Sequence, residues 1–214
     1  MAELDPLTED ALMELFNIGV SRAATSLSSL AKREVSITPP NIKYLSRNEM
    51  IDYAIEHIGG EVTAMGIEFE GNVDGHIQLL LARQQALPIS KLMLMAQGLE
   101  INDKSILRES LLETSNILLN ACLGSLANSL KVRFETQVPK LIPSIKKQDI
   151  AHDFDDDDFC LDWQFSEISL GVLLQMDLSI QIDDFNAKMM IYLELPSTTV
   201  FEERLSAFVK RLTS

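Results

Sequence analysis

The sequence is short of positive charge, of cysteine and of long apolar runs. Its 214 residues carry 18 Lys and Arg against 32 Asp and Glu, a formal net charge of −14 with a pI near 4.6. Proteins that grip phosphate backbones need clustered Lys and Arg to displace counterions, so general nucleic-acid binding is excluded. No apolar stretch reaches the roughly 18 to 20 residues that span a bilayer. Glu3, Asp5, Glu9 and Asp10 occupy the start of the chain, where a signal peptide would be positive. A cytoplasmic protein with no membrane insertion is expected. Only two cysteines occur, Cys122 in an apolar helical pattern and Cys160 beside an acidic run; they make neither a zinc spacing nor a disulfide framework. No Gly/Ser-rich or Pro-rich linker divides the chain. With 46% of residues apolar, it can bury a sizeable core.

What is present is an internal repeat. DALMELFNIGVSRAATSLSSL, from Asp10 to Leu30, is echoed by ESLLETSNILLNACLGSLANSL, from Glu109 to Leu130. Both contain E-x-x-N: Glu14 and Asn17 match Glu113 and Asn116, 99 residues on, and a proline follows each Asn by 23 positions, Pro40 and Pro139. At 100° per residue, Asp10, Glu14, Asn17, Ser21 and Ser28 fall on one stripe. Leu12, Leu15, Phe16, Gly19, Ala23, Leu27 and Leu30 fall on the opposite face. The second window places Glu109, Glu113, Asn116 and Asn120 on the polar stripe and Leu111, Leu118, Leu119, Cys122 and Leu126 on the apolar one. Each window predicts an amphipathic helix presenting Glu and Asn outward.

A β-branched run follows each helix, VSIT before Pro39 and Pro40 and VRFETQV before Pro139. A strand is expected in each, ended by proline because it has no N–H to give to the ladder. EVTAMGIEFEG, the turn NVDG and HIQLLLA then predict a hairpin, followed by a helix over 84–97. SLGVLLQMDLSIQI, the turn DDFN and AKMMIYLEL repeat the series before a capped helix over 197–212. The expected fold is α+β: one domain over 1–214 in two similar halves, about 7–100 and 101–214, with an antiparallel sheet packed against the two Glu–Asn helices. The second half carries extra length over 149–163, where Asp153, Asp155, Asp156, Asp157, Asp158 and Asp162 lie without a compensating Lys or Arg.

A Glu and an Asn three apart on a helix ordinarily make a solvated surface. Recurrence at matched positions asks for more, because a short amide competes for backbone hydrogen bonds and Asn is a mediocre residue mid-helix. An acidic residue, E-x-x-N and a proline 23 positions on, present twice, with N-I-G-x-x-x-A-A after Asn17, resemble the CheC phosphatases of bacterial chemotaxis. The resemblance runs from about Leu7 to Leu195 and includes Gly59-Gly60 and the Asp74-Gly75 turn. Glu109, where Asp or Ser is usual, and the acidic insertion depart from it.

The resemblance implies hydrolysis of the aspartyl phosphate of the response regulator CheY. Such a reaction depends mostly on positioning and charge stabilisation. It further implies that Glu14 or Glu113 pairs with a lysine of the regulator, and that Asn17 or Asn116 orients an in-line water. Asp10, Glu109, Pro40 and Pro139 are supporting residues in this reading. The chain itself needs no cofactor or metal, and magnesium belongs to the regulator. The receptor deamidase CheD is a further partner that the resemblance suggests.

Two rivals stand beside this reading. A module of the same fold, like those of the flagellar switch, binds phosphorylated CheY without hydrolysing it; the presence of both Asn17 and Asn116 favours the enzyme. A calcium loop starting at Asp153 has Asp155 and Asp157 in register but Asp158 in place of Gly and Gln164 in place of Glu, which argues for a solvated acidic segment. His57, His76 and His152 lack paired ligands in sequence and are read as surface or packing residues. Met93 and Met95 are read as core or interface filling.

Overall fold

A computed structural model describes residues 6–38, 41–45, 49, 56–58, 62–99, 102–142, 168–180 and 183–212. Pro40, Gly59, Gly60, His152, Cys160 and the Asp153–Asp158 run lie outside them. The chain follows the order α1 (Pro6–Ala31), β1 (Val35–Ile37), β2 (Asn41–Leu45), β3 (Val62–Gly71), β4 (Gly75–Ala82) and α2 (Arg83–Ala96). It continues through α3 (Lys104–Leu130), β5 (Phe134–Thr136), β6 (Lys140–Ile142), β7 (Ile168–Ile180), β8 (Asp183–Glu194) and α4 (Leu195–Leu212). The fold is α+β, with an antiparallel sheet and a layer of helices, as the repeat predicts.

The two repeats build the two long helices alike. Thr8, Leu12, Leu15, Phe16, Gly19, Val20, Ala23, Leu27 and Ala31 are buried in α1, and the residues 99 further on are all buried in α3. The i, i+3, i+4 spacing of these positions makes the apolar stripe. Leu30 departs from the expected list and is only partly buried. Some core positions have changed chemistry: Leu107 stands where the first copy has Thr8, and Thr114 and Ser115 stand where it has Leu15 and Phe16. Both hydroxyls remain satisfied within the helix, Thr114 donating to the Ser110 carbonyl at 2.8 Å and Ser115 to that of Leu112 at 2.8 Å. Both helices also stop alike, at a lysine in the left-handed region, Lys32 (φ 50°) and Lys131 (φ 56°).

The helices α1 and α3 cross in close contact. A Cβ added to Gly19 would lie 2.9 Å from the Cys122 Cα, and the buried Ser125 hydroxyl donates to the Leu15 carbonyl at 2.8 Å. Residue 19 faces 122 and residue 15 faces 125, so the helices run antiparallel.

Among the described residues eight strands form one sheet, ordered β1-β7-β8-β4-β3-β5, with β2 also on β7 and β6 also on β3. The centre is the antiparallel pair β4–β8, with Ile77 opposite Ile191. The short strands after each long helix cross over: β1 and β2 pair with β7 of the second half, and β5 and β6 pair with β3 of the first. The two halves therefore share their sheet. Strands β3 and β4 are buried on both faces, which explains why LLLA reads as a continuous apolar run. Met65, Ile67, Phe69, Ile77, Leu79 and Leu81 point to the helices, and Val62, Ala64, Leu80 and Ala82 to the opposite face with Met190 and Tyr192.

Three local expectations are corrected. Proline interrupts the edge strand rather than ending it: β5 and β6 flank Pro139 on the same partner, β3, and the ladder resumes at Lys140. The missing N–H removes one bond without stopping the strand at an edge. The DDFN segment is the start of β8, with Asp183 paired to Ile180, and not a turn. Helix α4 starts at Leu195, ahead of Ser197. The Ser197 hydroxyl instead accepts from the Asp74 N–H at 2.8 Å, tying α4 to the β3–β4 turn. At that turn the Asp74 carboxylate accepts from the Gly71 N–H at 2.7 Å, and a side chain on Gly75 would collide with the Tyr192 carbonyl oxygen.

Replacing Gly19 by Ala sets helix propensity, a gain of up to about 1 kcal/mol, against overpacking of two backbones, a cost of about 1–3 kcal/mol. The contact atom is main chain and cannot swing aside. A net loss of stability is expected on urea unfolding for Gly19→Ala, and a larger one for Gly19→Leu; an unchanged midpoint for both variants would contradict the close crossing.

Candidate functional site

The polar stripes of α1 and α3 lie where the buried stripes force them, on the side away from the sheet. Glu14 and Glu113 are exposed, and Asn17 and Asn116 are half-buried. An i, i+3 pair on a helix has Cβ atoms about 5–6 Å apart, so each Glu sits over the same patch as its Asn. Asp10 and Glu109, both exposed, come one turn earlier. Pro139 is buried in the sheet edge, on a different element from either Glu–Asn pair.

The antiparallel crossing fixes the relation between the two pairs. With Gly19 level with Cys122, Asn116 is level with Thr25, eight residues along α1 from Asn17. At a rise of 1.5 Å per residue this is ~12 Å along the helix axis.

The two patches differ in what surrounds them. Met13 and Ile18, which flank Glu14 and Asn17, are each 36% exposed. Their counterparts Leu112 and Ile117 are partly buried and pack on the core. The first patch is thus a carboxylate and an amide between two exposed apolar side chains. The second is tied to neighbouring structure: Asn120 donates to the Asn116 side-chain oxygen at 2.6 Å, and Ser110 donates to the Ser90 carbonyl of α2 at 3.3 Å. No hydrogen bond to the Asn17 side chain occurs among the described residues. Sequence reasoning put Asn120 on the stripe without a role; its i+4 spacing from Asn116 was the available signal.

The start of α3 was also missed. Asp103 caps it, its carboxylate accepting from the Ser105 N–H at 2.8 Å, the Ile106 N–H at 3.4 Å and the Ser105 hydroxyl at 2.6 Å. These bonds hold the Asp103 carboxyl below the usual carboxylate range, the Ser105 hydroxyl most of all. The D-x-S spacing in NDKS was the sign of it.

Other chemistry near the helices is limited. Cys122 lies fully buried beneath the crossing, and burial pushes its thiol up to about 12, so it is no nucleophile at neutral pH. His57 is exposed. His76 is half-buried in β4 opposite Glu68; burial lowers its pKa, and the Glu68 charge opposes that shift. Met93 is a core residue, whereas Met95 is 59% exposed. Lys131 and Arg133 are exposed, and the Arg133 N–H donates to the Asn72 side chain at 2.9 Å, joining the β5 approach to the hairpin turn. Among the described residues no three His, Cys, Asp or Glu side chains converge as a metal site. No helix among them is long and apolar enough to cross a membrane.

An antiparallel sheet shared between two halves and overlaid by a pair of crossed helices, each carrying E-x-x-N, defines a CheC-type fold. The CheC-like family model matches residues 7–44, which hold the first Glu–Asn pair, β1 and most of β2. The chain is similar to the flagellar motor switch phosphatase FliY of Bacillus subtilis strain 168, 26% identical over 154 residues, 71% of this chain. It spans about 39% of that relative's length. The crystal structure of Thermotoga maritima FliY superposes with a TM-score of 0.68 at 20% identity, covering 97% of this chain and 100% of that one. FliM in the FliM–SpeE complex of H. pylori superposes with a TM-score of 0.66 at 11% identity, covering 96% and 97%. The family match covers the first Glu–Asn helix, and the superpositions show that the whole chain shares the fold of FliY and FliM.

Two outcomes test this arrangement. In a Cys160→Ser variant, Cys122 should not react with a disulfide reagent in the native protein at pH 8 and should react fully in denaturant; fast native labelling would show that the crossing is open. Asp103→Ala should lower the melting temperature at neutral pH. Because the folded carboxyl titrates below its unfolded value, the wild-type advantage is complete above that unfolded value and is lost as pH falls through the folded one. A gap between wild type and variant that does not narrow as pH falls below the unfolded value would contradict the capping role.

Proposed function

We propose that this chain removes the phosphoryl group from an aspartyl-phosphorylated response regulator of the CheY type. The observation that carries the reading is the duplicated Glu–Asn pair, held at equivalent positions on the outer faces of α1 and α3 while most neighbouring exposed positions differ. FliY, named as a phosphatase, supports it.

The chemistry asks for little that an exposed helix face cannot provide. Loss of phosphate to water needs an oriented water and neutralised charge more than it needs covalent help. The regulator brings the metal ion and a lysine at its own phosphoryl site. Glu14 or Glu113 meets that lysine, an ion pair that the approaching surfaces strengthen by excluding solvent. Asn17 or Asn116 enters beside it and holds the attacking water. An amide is neutral at every relevant pH and cannot act as a base; its oxygen accepts from the water and its NH2 donates, which fixes the water's direction. Two residues on adjacent turns reach the same phosphoryl group, the Glu for docking and the Asn for hydrolysis. The acidic balance of the chain suits a partner that presents a cation.

The fold, shared with FliM, is equally compatible with a second reading, in which the same surface binds the phosphorylated regulator and leaves it intact. Both are separated by one experiment. Added in catalytic amount to phosphorylated CheY with magnesium, the protein should accelerate phosphate loss, and the Asn17→Ala, Asn116→Ala double variant should remain folded and lose the acceleration. Removal of an oriented water holder is expected to reduce the rate by about 10²-fold. Equal decay with and without the protein, together with tighter binding to the phosphorylated form, would replace the enzyme with the binding module.

A further inference from the structure

We infer that Asn120 is a positioning residue for Asn116, and that its absence from the first half makes the two sites unequal: the second pair is preorganised and the first is adaptable. This rests on the phosphatase reading of the Glu–Asn pairs.

The geometry is specific. The Asn120 NH2 group donates to the Asn116 backbone carbonyl at 3.1 Å and to the Asn116 side-chain oxygen at 2.6 Å. The first bond anchors Asn120 to the turn below it, as short polar side chains do one turn along a helix. The second takes that anchored donor to the Asn116 amide. It fixes the amide torsion and decides which end is oxygen, because an NH2 group in that place would face another donor. The carbonyl oxygen has two lone pairs, so Asn116 retains one for a water proton, and its NH2 group points away from Asn120 and stays available. Donation into the oxygen also polarises the amide and sharpens its NH2 as a donor.

The first half lacks this device. The position 99 residues before Asn120 is Ser21. A serine hydroxyl is one bond shorter than the asparagine NH2 group, and none of the hydrogen bonds among the described residues joins Ser21 to the Asn17 side chain. Asn17 must therefore fix its torsion when a partner arrives, whereas Asn116 has done so beforehand. The apolar surroundings follow the same division. Met13 and Ile18 stand exposed beside the loose amide, and Leu112 and Ile117 are packed down beside the fixed one. The flexible thioether and exposed aliphatic edge suit a broad docking contact. The held amide suits chemistry that depends on placement.

The test has two arms. In side-chain amide NMR relaxation of the free protein, Asn116 should be rigid and Asn17 mobile, and Asn120→Ser should make Asn116 as mobile as Asn17. Kinetics form the second arm. In an Asn17→Ala background, Asn120→Ser should lower kcat toward phosphorylated CheY by about threefold, near the value of ordering one side-chain torsion, with KM unchanged. In an Asn116→Ala background, Ser21→Asn should raise kcat by a similar factor, a gain that a merely structural role for position 120 does not produce. Equal mobility of the two amides in wild type, or unchanged kcat in both backgrounds, would overturn the inference while leaving the phosphatase reading in place. If no form accelerates phosphate loss, the phosphatase reading falls, and the relaxation comparison alone decides whether Asn120 holds Asn116.

Discussion

The closest approach of two helices governs the rest of this molecule. At Gly19 and Cys122 the backbones of α1 and α3 meet with no room for a further carbon, and the Ser125 hydroxyl closes on the Leu15 carbonyl beside that point. A crossing so tight admits one register. It sets which residues of each helix face the sheet, and by default which face the solvent. The Glu–Asn pairs are brought to the outer face by this contact, and on that face only Asn116 gains a further hold, from Asn120. A shift of one helix by a single residue would rotate its polar stripe by 100° and move its carboxylate off the shared surface.

The sheet reinforces that register from below. Because β1 and β2 pair with the second half's hairpin and β5 and β6 with the first half's, each long helix is followed by strands anchored in the other half. Each helix end is tied down by similar means, a left-handed lysine and then a short edge strand. The β3–β4 turn adds a third tie, binding the approach to β5 through Asn72 and Arg133 and the start of α4 through Asp74 and Ser197. Rigid elements below and a sparse polar surface above are what the proposed function requires, since it asks the chain to hold two side chains against a partner.

Duplication followed by drift accounts for the asymmetry. Nine buried positions of α1 recur 99 residues on in α3, yet Leu15 and Phe16 have become Thr114 and Ser115, whose hydroxyls are bonded within their own helix. On the outer face Ser21 has its counterpart in Asn120, and Met13 and Ile18 theirs in Leu112 and Ile117. Each change is small, and each falls within a turn of a Glu–Asn pair. A fold that superposes on both FliY and FliM is compatible with hydrolysis and with docking, so these local differences carry more functional information than the architecture does.

The sequence by itself determined the helices, the hairpins and the two faces of α1 and α3. Each of these follows from periodicity within one segment, 3.6 for the helices and turn residues at fixed offsets for the first hairpin. The pairing of Glu14 with Asn17 and of Glu113 with Asn116 was legible for the same reason, since i, i+3 on a helix is local geometry. Short strands such as β2 and β6 were not legible, because three to five residues beside a proline carry too little pattern. Only the tertiary structure decided that the edge strands exchange between halves, that Pro139 interrupts a ladder which then resumes, and that Ser197 binds a turn instead of capping its helix. It also decided the antiparallel crossing, and with it the separation of the two pairs and the different company that Asn17 and Asn116 keep. Those depend on contacts between residues far apart in the chain, and no window of sequence contains both partners.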